Sequence, residues 1–175
     1  MAPDLIIISG RQQDAYEEFS KIAPTIFLQV DTQDYMNSFE ENVTTLAEIF
    51  DKEAEAEEHL AEVKADVEAL NEKVSAKDEE ALIVLANDGK VSAYGSGSRF
   101  GIIHDEFGFP ESDENIEAST HGQSVSFEYI AEQDPDYLFV IDRGAVVGGQ
   151  SSAQQVVENE LTEKTKAYQN DRIIY

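Results

Sequence analysis

Residues Ala81–Gly101, ALIVLANDGKVSAYGSGSRFG, decide how the rest of this chain is read. Leu82-Ile83-Val84-Leu85 is a short unbroken apolar run, the pattern of a buried strand. Asn87-Asp88-Gly89 follows as a tight-turn signal, because these residue types accept the left-handed backbone of a two-residue hairpin. Val91–Tyr94 reads as the returning strand. Gly95-Ser96-Gly97-Ser98-Arg99 is then a loop opening onto a short helix, Phe100 to Phe107. From Ala81 onward the chain therefore reads as α/β.

Working outward toward the C-terminus, Ser126 is expected to cap a helix running to about Glu132. Asp134-Pro135-Asp136 leads into a second apolar run, Tyr137–Ile141, which stops at Asp142-Arg143-Gly144. Another helix is expected at about Ser152 to Glu158, and a last strand begins at Arg172–Tyr175. Toward the N-terminus, Phe39, Val43, Leu46 and Phe50 step by four, three and four, which is one face of a helix. Asp51-Lys52-Glu53 interrupts it, and Leu60, Val63, Val67, Leu70 and Val74 mark a second stripe. A helix from Lys52 to Lys77 would extend about 38 Å, enough to cross a small domain or join two. A coiled coil is the competing reading, but the acidic run Glu53–Glu58 breaks its seam. Further upstream, Asp4–Ser9 suits a buried strand of a parallel sheet, with Gly10-Arg11-Gln12 as the loop at its end. A short helix, about Asp14 to Lys21, and a strand, Thr25 to Val30, follow.

The bulk composition narrows the function classes. A chain of 175 residues that is 41% hydrophobic has ample material for one domain, or for parts of two small ones. Its formal charge of −25, from 37 acidic against 12 basic residues, disfavours nucleic acid and anionic membrane surfaces as partners. The absence of cysteine excludes disulfides, thiolate metal sites and a Cys nucleophile. Met1-Ala2-Pro3-Asp4 has no signal-peptide pattern, and the apolar runs are too short to span a bilayer. A soluble cytoplasmic protein and a piece of a secreted precursor both fit.

Against that acidity the arginines stand out. Arg11 follows the first strand, Arg99 sits in the Gly/Ser loop and Arg143 follows the strand ending at Asp142. Ligands of open α/β sheets bind outside the carboxyl ends of strands. The guanidinium fork suits carboxylate, phosphate or catecholate oxygens at any relevant pH. The competing reading is that each arginine pairs with one of the many acids. Ser119-Thr120-His121-Gly122-Gln123 adds His121 in a small polar loop; His59 and His104 are given no role, and the histidines lack zinc-ligand spacing. Gly95–Gly101 has some of the look of a phosphate cradle but lacks the GxGxxG spacing and the Lys-Ser/Thr ending. Ser98, His121 and Asp142 would make a triad on paper, with no nucleophile elbow behind it.

Taken together, PDLIIISGRQ, IAPTIFLQVD, ANDGKVSAYGSGSRFGIIHDEFG, NIEASTHGQSVSFEYI and PDYLFVIDRG resemble the extracytoplasmic siderophore-binding proteins of ABC importers. The likeness is to the catecholate type, which takes petrobactin or enterobactin-like ferric complexes, and it runs in unbroken order along the chain. It implies the periplasmic-binding-protein class III fold: α/β, two Rossmann-like lobes joined by a long helix. Residues 1–50 would be a partial N-terminal lobe, 51–77 the inter-lobe helix and 78–175 the C-terminal α/β lobe. The resemblance implies that Arg11, Arg99 and Arg143 converge on an anionic ferric siderophore, and that His121 is a candidate direct iron ligand. A ferric tris-catecholate carries about three negative charges, which arginine forks offset. No catalysis, no intrinsic cofactor and no nucleic acid are expected. The expected partners are the siderophore, an ABC permease and a second copy of the chain through the incomplete N-terminal lobe. The family is extracytoplasmic and held to the membrane as lipoproteins; its signal, anchor Cys, leading strands and closing C-terminal segment have no counterpart here. Two other readings stay open: a cytoplasmic flavodoxin-like enzyme or phosphate binder using Gly95–Gly101, and a helix-mediated interaction module on residues 35–77.

Overall fold

The apolar run at Leu82 becomes the middle of a five-stranded sheet in the computed structural model, which describes residues 3–87, 89–144 and 152–175. This strand, β3 (Ala81–Asn87), is buried at every position from Ala81 to Val84, as a strand covered on both faces must be. It pairs antiparallel with β4 (Lys90–Tyr94), with Asn87 opposite Lys90. Gly89 takes φ +75 in the connecting turn, where an L side chain would be strained; Asp88, its partner in the expected turn, lies outside the described residues. On the other side β3 pairs parallel with β6 (Tyr137–Asp142). The sheet order is β5-β4-β3-β6-β7, with β5 at Gln123–Val125 antiparallel to β4 and β7 at Ile173–Ile174 parallel to β6. One apolar cluster fills this region, centred on Leu82, Val84, Ile130, Leu138, Val140 and Val157.

Local chemistry sets the helices around that sheet. Ser126 caps α5 (Phe127–Gln133) by accepting the Tyr129 amide, as its position before an apolar run predicts. Ser152 and Gln155 form a capping box at the helix Ala153–Val157. The expected helix from Phe100 shortens to α4 (Ile102–Asp105), and a 3-10 turn, Thr162–Lys164, and a helix, Lys166–Gln169, precede β7. Two connections hold the segment before β3: Asn71 Nδ2 donates to the Glu106 carbonyl at 2.8 Å, and Arg172 donates to Glu79 at 2.7 Å.

The chain divides into two units, Met1–Val63 and Lys64–Tyr175. In the first, β1 (Ile6–Ile8) pairs parallel with β2 (Thr25–Phe27), both shorter than the sequence suggested. The stretch expected as a loop at Gly10-Arg11-Gln12 is a 3-10 helix, Gly10–Ala15, running into α1 (Tyr16–Phe19). Helix α2 (Tyr35–Phe50) carries the four-three-four stripe and stops at Asp51, which is left-handed at φ 53. The Lys52 amide reaches back to the Ala47 carbonyl at 2.9 Å, which closes the helix end. Helix α3 (Glu53–Ser75) then begins, and the boundary between the units falls within it. Among the described residues no helix is long and apolar enough to cross a membrane.

Candidate functional site

In the first unit Arg11 is exposed on the 3-10 turn that starts where β1 ends. The Gln12 amide bonds to the Ser9 carbonyl at 2.8 Å, turning the chain immediately after the strand. The same unit contains a cleft of about 440 Å³ whose wall is almost wholly apolar, from Phe39, Val43, Leu46 and Phe50 of α2 and Leu60 and Val63 of α3. None of the expected site residues lines it.

In the second unit the Gly/Ser loop is built against carboxylates. The Ser96 amide donates to Glu111 Oε1 and the Gly97 amide to Asp105 Oδ2, both at 2.7 Å. A Cβ on Gly101 would lie 2.8 Å from the Gly97 nitrogen, so the turn closes only because that residue has no side chain. A phosphate cradle needs such amides free, and two of them are already taken by anionic side chains.

Arg99 leaves this loop exposed, with its guanidinium carbon 5.1 Å from the centroid of the Phe100 ring. Phe100 in turn packs edge-on against Tyr94, the last residue of β4, at 4.8 Å between centroids. Tyr94 also meets the loop before β5: a Cβ on Gly122 would come within 2.7 Å of its ring. His121, beside Gly122, is exposed. Burial pushes the Tyr94 phenol up, and the positive charges of Arg99 and Arg143 partly offset this.

Strand direction separates Arg99 from Arg143. Because β4 is antiparallel, Tyr94 stands opposite Ile83 near the start of β3, whereas Asp142 stands opposite Ala86 near its end. The Arg99 loop therefore leaves from the end of the sheet opposite to the carboxyl end of β6. Three residues of strand, about 10 Å, separate the two levels. Arg143 follows β6 directly and is exposed.

The ion-pair reading holds for one arginine. Arg172 is bound to Glu79 at 2.7 Å and lies over the Tyr137 ring at 4.8 Å. Among the described residues, Arg11, Arg99 and Arg143 make no salt bridge, although acids outnumber bases three to one. The triad reading fails: Asp142 Oδ2 accepts the Ala153 amide, the Ser98 hydroxyl is buried without a partner, and His121 faces solvent. His104 is a buried structural residue, its Nδ1 2.8 Å from the Phe109 carbonyl. Among the described residues no cluster of His, Cys, Asp or Glu forms a metal cage. Sequence reading missed Tyr94; its one signal was an aromatic residue directly before GSGSR.

The chain belongs to the periplasmic binding protein family, whose model matches residues 1–175. Among individual relatives, it is 51% identical over 173 residues to the petrobactin-binding protein YclQ of Bacillus subtilis, covering 99% of this chain and 55% of that one. The crystal structure of YclQ superimposes with a TM-score of 0.94, over 99% of this chain and 61% of that chain. The ferric-anguibactin-binding protein FatB of Vibrio anguillarum is 34% identical, over 100% of this chain and 56% of that one. The catecholate-siderophore binding protein VctP of Vibrio cholerae matches at 35% identity and a TM-score of 0.91, covering 98% of this chain and 62% of that one. The chain thus spans a little over half the length of the curated relatives it matches.

Proposed function

We propose that this chain is the solute-binding part of an ABC importer and takes an anionic ferric catecholate siderophore of the petrobactin type. The observation that carries this reading is that Arg11, Arg99 and Arg143 are exposed and, among the described residues, make no salt bridge in so acidic a chain. Keeping guanidinium charge free of so many carboxylates leaves it for an exogenous anion. The names of the relatives support the ligand class: petrobactin, ferric anguibactin and a catecholate siderophore. Arg11 contributes further charge, and His121 occupies an iron site that the siderophore leaves open. The protein hands its ligand unchanged to a membrane permease and works outside the cytoplasm, as a lipoprotein in its whole form. In this reading residues 1–50 belong to the N-terminal lobe, 51–77 to the connecting helix and 78–175 to the C-terminal lobe.

Titration with ferric tris-catecholates, followed by visible absorbance, tests the proposal. Saturable binding is expected, and Arg143→Ala should weaken it by about 10- to 100-fold, the worth of one or two charge-assisted hydrogen bonds. Binding that ignores Arg143→Ala overturns the site, and no binding at any concentration overturns the function. A second reading, a helix-mediated interaction module on residues 35–77, has the apolar cleft between α2 and α3 in its favour. It predicts protein capture without siderophore binding. The two-stranded sheet of the first unit, with Ile7 and Phe27 exposed, further supports association between copies of this chain. Light scattering should show mass rising with concentration, and a constant monomer mass would refute it.

A further inference from the structure

Tyr94 is only 2% exposed, yet it ends a strand beside a loop instead of lying in the middle of the core. Two contacts converge on its ring. Phe100 meets it edge-on at 4.8 Å, and Phe100 is the ring over which the Arg99 guanidinium sits at 5.1 Å. On another side the backbone at Gly122, with φ +71, passes so close that a Cβ would fall 2.7 Å from two ring carbons and 2.9 Å from the Ala93 carbonyl. Gly122 is therefore required twice, for its left-handed backbone and for its lack of a side chain. The register Ala93 opposite Gln123 fastens the same loop to β4 one residue further on.

From this geometry we infer that Tyr94 is the positioning residue of the binding site: its buried ring sets, through Phe100 and Gly122, where Arg99 and the His121 loop stand. The inference rests on the proposed siderophore-binding reading for its consequence, though not for its geometry. The ring does the work and the hydroxyl does not, because Phe100 and Gly122 both touch the ring. An edge-to-face aromatic pair fixes ring orientation as well as distance. Arg99, exposed and without an ion pair among the described residues, has little else to hold it. A long exposed side chain loses considerable entropy when it is ordered on a ligand, so holding it beforehand raises affinity.

The test compares wild type with Tyr94→Phe, Tyr94→Leu and Gly122→Ala, using the chain as it stands. The first readout needs no ligand. The Nε–Hε resonance of Arg99 in a proton–nitrogen NMR spectrum should be shifted upfield by the Phe100 ring. It is expected to stay in Tyr94→Phe and to collapse toward the free-arginine position in Tyr94→Leu and in Gly122→Ala. In Gly122→Ala the lesion lies in one loop and is read in the other, which a merely local packing defect would not produce. The second readout is affinity for a ferric tris-catecholate: within twofold of wild type for Tyr94→Phe, and at least tenfold weaker for the other two. Gly122 is half-buried and outside the core cluster, so Gly122→Ala keeps the test open where Tyr94→Leu does not fold. An Arg99 resonance unmoved by Gly122→Ala overturns the inference, and so does an affinity lost equally in Tyr94→Phe. Wild-type chain that binds no ferric catecholate overturns the functional reading alone, and the NMR comparison still decides the role of Tyr94.

Discussion

The two units of this chain solve the same burial problem to different degrees. The second, Lys64–Tyr175, builds five strands around β3 and seals Leu82, Ile83, Val84, Ile130 and Leu138 to 1% exposure or less. The first, Met1–Val63, has a sheet of two three-residue strands, and Ile7, Ile22 and Phe50 are 50%, 65% and 58% exposed. Helix α2 carries a clear apolar stripe, so the first unit does not lack apolar side chains to bury. What differs is sheet width: a strand buries both faces only when neighbours and helices cover it. Hydrophobic sequence alone therefore does not make a core.

The largest effect that would break or sharpen this contrast is a cavity. Leu138→Ala in β6 should cost about 2–5 kcal/mol in urea unfolding, because the site is fully enclosed. Ile22→Ala in the first unit should change stability by less than about 0.5 kcal/mol, since most of that side chain is already in water. Comparable losses at the two positions would mean that the first unit is as well buried as the second.

A smaller effect tests the polar anchoring of the second unit. Tyr129 donates to Asp113 Oδ2 at 2.7 Å. Asp113 is held below the usual carboxylate range, first by the Asn115 amide and then by Tyr129; burial, followed by that hydrogen bond, raises the Tyr129 phenol. A lowered carboxylate gives stability that is present above its unfolded value and lost as pH falls through the folded one. A raised phenol gives stability that is present below its unfolded value and lost as pH rises through the folded one. Tyr129→Phe should thus cost about 1 kcal/mol, discounted for the solvent around Asp113, on a plateau between about pH 5 and pH 9. The cost should shrink in acid. A cost independent of pH down to about pH 2 would show that the pair is not what anchors the loop.

The smallest effect compares two helix ends of the same shape. Asp51 closes α2 and Asp134 closes α5, both left-handed, at φ 53 and φ 44. Glycine accepts that backbone without strain, so Asp51→Gly should stabilise by about 0.5 kcal/mol in thermal melts. Asp134→Gly should not, because the Asp134 carboxylate accepts the Lys166 amide at 2.8 Å and lies 3.8 Å from Lys166 Nζ. Equal gains at both ends would show that this tertiary bond contributes nothing.

The sequence by itself determined the strongly patterned elements. Leu82–Leu85 and Tyr137–Ile141 are strands because unbroken apolar runs must be covered on both faces, and Phe39–Phe50 is helical because its apolar spacing matches the helical repeat. Ser126 announced its helix because a capping bond spans only three residues. It also marked the arginines worth following, since only four basic forks are set among 37 acids. Tertiary structure decided the rest. Gln123–Val125 has no apolar alternation and becomes β5 only because β4 offers it an open edge. The amides of Ser96 and Gly97 looked available for phosphate until Glu111 and Asp105, distant by 15 and 8 residues, came to occupy them. Arg99 and Arg143 leave from opposite ends of the sheet, because β4 runs antiparallel to β3 and β6 parallel to it. Period and capping act over a few residues and can be read along the chain; pairing and occupancy depend on contacts between segments that no local pattern records.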